Sequence, residues 1–192
     1  MAADLPHHLR ADARDNRDRM ISAARAAFSE RGLDVGMREV ARRAEVGPAT
    51  LYRRFPTKQA LIDEVFAAER RSCEQIVEEG CADPDPWRGF TSVLQRLTAL
   101  NIHNRGFVDA FMSAAPAAAP FTAHRKKLLG MLERLAHRAQ AQGRLRSDFV
   151  IDDLVLVLLA GRGLSTSLPN ARDHAARRFA TLAVDAFRAQ DP

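Results

Sequence analysis

The sequence predicts an all-α protein in two parts, a small N-terminal helix-turn-helix head and a larger helical body. Three observations carry that expectation. Aromatics make up only 6% of the residues, and Thr, Ile and Tyr, which favour strands, are scarce beside alanine, leucine and arginine. Apolar residues recur at helical spacing along most of the chain. Two short segments of that kind meet at a three-residue turn inside residues 36–61. At 192 residues the chain is long enough for one large core, or for a small domain fused to a larger one.

About nine helices are expected. Residues 1–13 read as a flexible polar tail. Met20, Ala24 and Phe28 then recur at four-residue spacing, with Ile21 beside them, and mark a first amphipathic helix that Gly32 stops. A second helix over about residues 37–44 buries Val40, Ala41 and Ala44, and a third over about residues 48–55 buries Leu51 and Phe55. Between them lie Glu45, Val46 and Gly47, with Val46 expected beneath the turn and Pro48 at the first position of the third helix. Pro56 ends that helix, and Thr57 caps a long fourth one through about residue 79.

A Gly/Pro/Asp loop over residues 80–86 opens the second group of helices. Phe90, Val93, Leu94, Leu97 and Asn101 stripe a fifth helix, and Phe107, Val108, Phe111 and Met112 a sixth. The Ala/Pro stretch at residues 114–120 precedes a seventh, which runs through Leu128, Met131, Leu132 and Leu135 to Gly143. Residues 151–163 form an eighth helix, apolar on nearly every side, and Ala175, Phe179, Leu182 and Ala186 stripe a ninth. The expected domains are therefore the tail at 1–13, a helix-turn-helix head at 14–58, and a larger helical body at 59–192.

Several function classes are disfavoured at this level. The N-terminal residues lack the apolar run of a signal peptide, and the longest apolar run, residues 154–160, falls far short of the roughly 18 residues a membrane span needs. A cytoplasmic protein with no membrane partner is expected. Cys73 and Cys81, the only cysteines, lack the spacing of a zinc site, so no metal and no cofactor is expected. No Ser/His/Asp order, Gly-rich phosphate loop or paired carboxylate suggests catalysis, and a helical-bundle carrier or enzyme is the rival of another class. The charge is uneven: residues 1–58 hold 12 Lys/Arg against 8 Asp/Glu, and the remainder 17 against 16. That modest bias suits a polyanionic partner.

The segment GMREVARRAEVGPATLYRRFPTKQAL, residues 36–61, carries the function. Small Ala41 lets the two helices approach, while Val46 and Leu51 wedge them at a fixed angle. Such a unit can lay its second helix in a major groove about 12 Å wide. With Leu51 and Phe55 turned to the core, Pro48, Ala49, Thr50, Tyr52, Arg53 and Arg54 project outward. Ala49 and Thr50 suit a thymine methyl, Arg53 or Arg54 a guanine edge, and Tyr52 a phosphate. Arg38 points to the same groove, and Lys58, in the first turn of the fourth helix, suits a phosphate oxygen.

Thr50-Leu51-Tyr52, then Phe55 and Lys58, after a first helix ending in Arg31-Gly32, resemble the TetR family of transcriptional regulators over residues 18–66. The resemblance implies an all-α homodimer that binds a near-palindromic double-stranded operator and is released by a small-molecule effector. It places Arg38, Pro48, Ala49, Thr50, Tyr52, Arg53 and Lys58, and less closely Arg54, at the family's DNA-contacting positions. Gly36 and Gly47 stand where the family usually has a hydroxyl cap, and Glu45 replaces the usual turn glycine. At a positive φ, Glu45 costs on the order of 1 kcal/mol. An activator, or a repressor without a ligand, is the alternative within the family.

The resemblance also implies a small-molecule cavity enclosed by the fourth to seventh helices. Its candidate lining is Phe66, Cys73, Trp87, Phe90, Leu94, Asn101, His103, Phe107, Phe111, Phe121, His124, Leu128 and Met131, which suits a hydrophobic or aromatic effector. The eighth helix needs cover on several sides. Its Leu154, Val155 and Leu158, with Phe179, Leu182, Ala186 and Phe187 of the ninth, are the expected four-helix interface between two identical subunits.

Overall fold

The computed structural model describes residues 5–112, 119–161, 163 and 169–190, and these fall into two compact units that divide after Ala67. Ten α-helices are present among them. The first unit holds α1 (Leu5–Arg31), a 3-10 turn (Gly32–Asp34), α2 (Met37–Arg43), α3 (Pro48–Arg54) and α4 (Lys58–Val65). The second holds α5 (Ala67–Ala82), α6 (Pro86–His103), α7 (Arg105–Met112), α8 (Ala119–Ala141), α9 (Ile151–Ala160) and α10 (Pro169–Phe187). The Ala/Pro stretch expected between α7 and α8 lies largely outside the described residues.

In the first unit α1 buries Met20, Ala24, Ala27 and Phe28, the expected four-residue stripe. The Phe28 ring sits 6.1 Å from that of Phe66, and Arg25 donates to the Val65 carbonyl while its guanidinium lies over the Phe66 ring. Arg17 pairs with Glu64 along the same seam. These contacts tie α1 to the end of α4. They also explain a correction: the expected fourth helix is interrupted at Phe66, whose ring turns back onto α1, and so becomes α4 and α5. No glycine or proline marks the break, which tertiary packing imposes on a sequence of good helix formers.

A second correction concerns the N-terminus. The backbone is helical from Leu5, so most of the segment read as a tail continues α1. Ala, Leu and Arg there are strong helix formers, and Pro6 falls in the first turn, where its missing N–H has no partner to lose.

The turn between α2 and α3 is a left-handed helix stop. Val46 N–H donates to the Ala41 carbonyl at 3.0 Å and Glu45 N–H to that of Arg42 at 3.2 Å, with Glu45 at φ +56°. That is the bonding of a Schellman cap, normally given to glycine because an L side chain is strained there. Val46 is half-exposed rather than tucked beneath the turn, since its backbone closes the cap. Gly143 at φ +66° ends α8 in the same way, with Arg144 N–H on the Ala139 carbonyl.

In the second unit α6 packs against both α8 and α10. Phe90 lies edge-on to Phe149 at 5.4 Å, Phe149 edge-on to Phe187 at 5.0 Å, and Trp87 stacks on Phe90 at 6.0 Å. Paired edge-to-face rings of this kind add to their simple burial. The segment after α8 is laced to the end of α10 by Arg146 N–H on the Phe187 carbonyl and Ala189 N–H on that of Arg144, both at 3.0 Å. Helix α5 runs past Gly80, which the sequence reading put in a loop. Gly80 and Gly89 let α5 and α6 touch: a Cβ at Gly89 would stand 2.2 Å from the Gly80 carbonyl oxygen.

Two stability outcomes follow. Glu45→Gly should raise the stability by about 1 kcal/mol, read as a higher urea midpoint at unchanged slope, and a lower midpoint would contradict the strained turn. Gly89→Ala should destabilise by about 1–3 kcal/mol in the same assay, because backbone rather than a side-chain tip blocks the added methyl.

Candidate nucleic-acid interface and effector cavity

Seven residues are too few to bury more than one stripe of α3. Leu51 is fully buried and Phe55, at its C-cap, is nearly so. What remains faces outward: Pro48, Ala49, Tyr52, Arg53 and Arg54 are exposed and Thr50 is half-buried. Tyr52, 46% exposed, is among the few large apolar side chains left in solvent. Arg38 is exposed on α2, and Lys58 is half-buried in the first turn of α4. There Thr57 Oγ accepts from Ala60 N–H at 3.0 Å, which leaves the earlier amides of the helix start free to meet an anion.

Charge is sorted around this face. Glu39 accepts two hydrogen bonds from Arg42, at 2.9 and 2.7 Å, and one from Arg43 at 3.0 Å. Arg43 also reaches Glu30 at 2.6 Å. The Arg42 and Arg43 guanidiniums hold the Glu39 carboxyl down to about 2. Among the described residues, Arg38, Arg53 and Lys58 have no carboxylate partner, and Arg54 lies only over the Phe55 ring at 6.0 Å. The arginines nearest the turn are thus paired, while Arg38, Arg53 and Lys58 of the candidate face, like Arg19 on α1, have no carboxylate partner among the described residues.

Gly36 and Gly47 start α2 and α3 in extended conformations with no side-chain cap, as the missing hydroxyls imply. A recess of about 170 Å³ between α1 and α3 is lined by Asn16, Arg17, Met20, Thr50, Arg53 and Arg54. Asn16 lies outside the apolar stripes that the sequence displays, and its Oδ1 is buried with no hydrogen-bond partner among the described residues. Its place one turn before Met20 was the available signal.

The second unit contains a largely apolar cavity of about 40 Å³. Of the expected lining, the structure brings together Cys73, Asn101, Phe107, Phe111 and Leu128. Burial pushes the Cys73 thiol up to about 12, so it is an apolar wall and not a nucleophile. Arg125 and Met112 also line the space, as do Val155 and Leu158 of α9, two of the residues expected at a dimer interface.

The other candidates are corrected. Phe66 packs in the first unit on Phe28. Trp87 and Phe90 belong to the aromatic cluster with Phe149 and Phe187, and Leu94 is fully buried away from the cavity. Phe121 lies at a tilt to the Phe107 ring, with the Arg70 guanidinium 5.5 Å from its own ring. His124 meets the Phe111 ring edge-on, and burial lowers its pKa. Met131 offers its carbonyl to the Cys81 thiol. The side chain of His103 lies outside the described residues.

The expected interface divides likewise. Leu154 and Phe187, 1% and 4% exposed, are core residues of their own subunit, because α9 and α10 turn these positions inward. Phe179 is half-buried, with its ring beside Gly161, and Ala186 is exposed. Leu182 and the unforeseen Leu156 are 50% and 63% exposed.

Comparison with known proteins places both units. Residues 20–65 match the family model of the bacterial regulatory proteins, tetR family, and residues 85–189 match that of the transcriptional regulator SbtR-like C-terminal domain. The TetR transcriptional regulator SCO0520 of Streptomyces coelicolor is 30% identical, with 91% of this chain and 99% of that one covered at a TM-score of 0.54. The ketosteroid transcriptional regulator KstR2 of Mycobacterium tuberculosis shares the fold at 18% identity and a TM-score of 0.67, covering 91% and 95% of the two chains. RolR in complex with resorcinol shares it at 21% identity and a TM-score of 0.51, covering 92% and 89%. Among curated proteins there is no match.

The Glu39 network yields a pH signature. A carboxylate whose folded pKa is depressed stabilises above its unfolded value and loses that contribution as pH falls through the folded one. The stability advantage of the wild type over Glu39→Gln should therefore persist at neutral pH and shrink as pH drops from 4.5 towards 2. Urea denaturation of both proteins across that range checks it, and a difference independent of pH would contradict the pairing.

Proposed function

We propose, on the premise that the chain belongs to the TetR family of bacterial regulatory proteins, that it is a ligand-released repressor acting on a near-palindromic operator. It is a DNA-binding transcriptional regulator, of a family that is not enzymatic. The observation that carries the finer reading is the outward face of α3, where residues suited to bases and phosphates are exposed while Leu51 alone is fully buried.

In this reading α3 enters the major groove. Ala49 and Thr50 meet thymine methyls, Arg53 or Arg54 bonds a guanine edge, and Tyr52 and Lys58 hold phosphates, with Arg38 and Pro48 at the groove margin. Two copies joined through Leu156, Leu182 and their surroundings on α9 and α10 would set two α3 helices about one DNA turn apart. Such a protein works in the cytoplasm, beside the chromosome it regulates.

Release requires an effector that binds one separation of the reading heads better than the other. The mainly apolar cavity, and the small organic molecules named for KstR2 and RolR, support a hydrophobic or aromatic effector. A repressor without a ligand is the second reading. It is favoured by the cavity's size, well below the roughly 300 Å³ at which drug-sized sites begin.

Tyr52→Ala and Lys58→Ala should weaken binding to all duplexes, and Lys58→Ala should also lower the salt dependence by about one phosphate contact. Arg53→Ala should instead narrow the gap between operator and mismatched DNA, by about 1–3 kcal/mol per base read. Gel-shift titrations against the intergenic DNA beside the gene measure all three, and unchanged affinity throughout would contradict the assigned face.

A further inference from the structure

The cavity of the second unit says more about its ligand than that it is apolar. This inference rests on the effector reading above and names the effector's chemical class. Arg125 projects from α8 into an otherwise mainly hydrophobic wall, on the same helix face as Leu128 and Leu132. A guanidinium has five N–H donors. The structure accounts for one of them, from Nη1 to the Phe111 carbonyl at 3.2 Å.

Among the described residues no carboxylate pairs with Arg125. Lys127 on the same helix pairs with Glu74, and Arg96 on α6 with Glu79, whereas Lys126 beside Arg125 is exposed to solvent and Arg125 is half-buried. A half-buried cation against an apolar wall is favourable only when an anion or a full set of acceptors faces it. Asn101, from α6, adds the only other strongly polar side chain of the lining, and among the described residues no hydrogen bond engages its side-chain amide.

We propose that the cavity is the site of a small organic acid, its carboxylate held by Arg125 with Asn101 as second donor, and its apolar body among Phe107, Phe111 and Leu158. Arginine presents a planar fork that matches a carboxylate with two parallel hydrogen bonds. About 40 Å³ is less than the roughly 150 Å³ that admits a benzene ring, so entry displaces side chains. Met112, unbranched and adaptable, is placed to yield. Arg125 would exchange the Phe111 carbonyl for the ligand, which frees the last turn of α7 and gives occupancy a route to the fold.

Calorimetry on the full chain tests this with two matched pairs, octanoate against octan-1-ol and benzoate against benzyl alcohol, each on wild type, Arg125→Met and Arg125→Lys. The expected result is that at least one acid binds wild type about tenfold or more tighter than its alcohol. The preference should vanish in Arg125→Met and survive in weakened form in Arg125→Lys, with both variants folded by circular dichroism.

Equal affinity for acid and alcohol, a preference that persists in Arg125→Met, or binding of none of the four compounds at millimolar concentration would overturn the acidic class. Operator release separates the two readings. Release by a neutral compound, undiminished in Arg125→Met, keeps the effector and removes the acid, whereas an acid that binds as expected without loosening the operator complex removes the effector role alone.

Discussion

The burial of Leu51 and Phe55 is the constraint on which the functional surface depends. Each contributes on the order of 1.5–3 kcal/mol by leaving water, more than any surface ion pair of the head supplies. Because α3 has only two turns, seating those two side chains fixes its rotation. The exposure of Pro48, Ala49, Tyr52, Arg53 and Arg54 is then a geometrical consequence. The left-handed turn at Glu45 sets the direction in which α3 leaves α2, and the Phe28, Arg25 and Phe66 contacts hold α1 and α4 around the pair.

Electrostatics refine that surface without creating it. Glu39 and Glu30 take up Arg42 and Arg43, so the arginines nearest the turn add little field. Arg38, Arg53 and Lys58 have no carboxylate beside them among the described residues. A head with a modest positive surplus can in this way present a local cationic face to a polyanion.

Much of this was legible from residues. The spacing of Met20, Ala24 and Phe28, the proline at the start of α3 and the glycine ending α8 each announced their elements through local chemistry. The break at Phe66 was not legible, because its cause is a ring packed on a helix almost forty positions earlier in the chain. Nor was the continuation of α1 to Leu5, where a polar sequence of good helix formers looks like a tail when only apolar stripes are counted. In the body, all-round apolarity of α9 was read as an interface. The structure uses Val155 and Leu158 to wall a cavity and Leu154 to fill the core, and leaves Leu156 in solvent. Arg125 is not legible from sequence, because a charged residue beside an apolar stripe has the same pattern as a solvated helix face.

The central claim is that the exposed side of α3 receives a DNA duplex. Fluorescence anisotropy of labelled duplex from the region beside the gene, titrated with the folded wild-type protein over a series of salt concentrations, tests it most directly. Saturable binding at low salt, with log affinity falling linearly as log salt rises, is the predicted result. Folded protein that leaves every duplex unbound at low salt would contradict it.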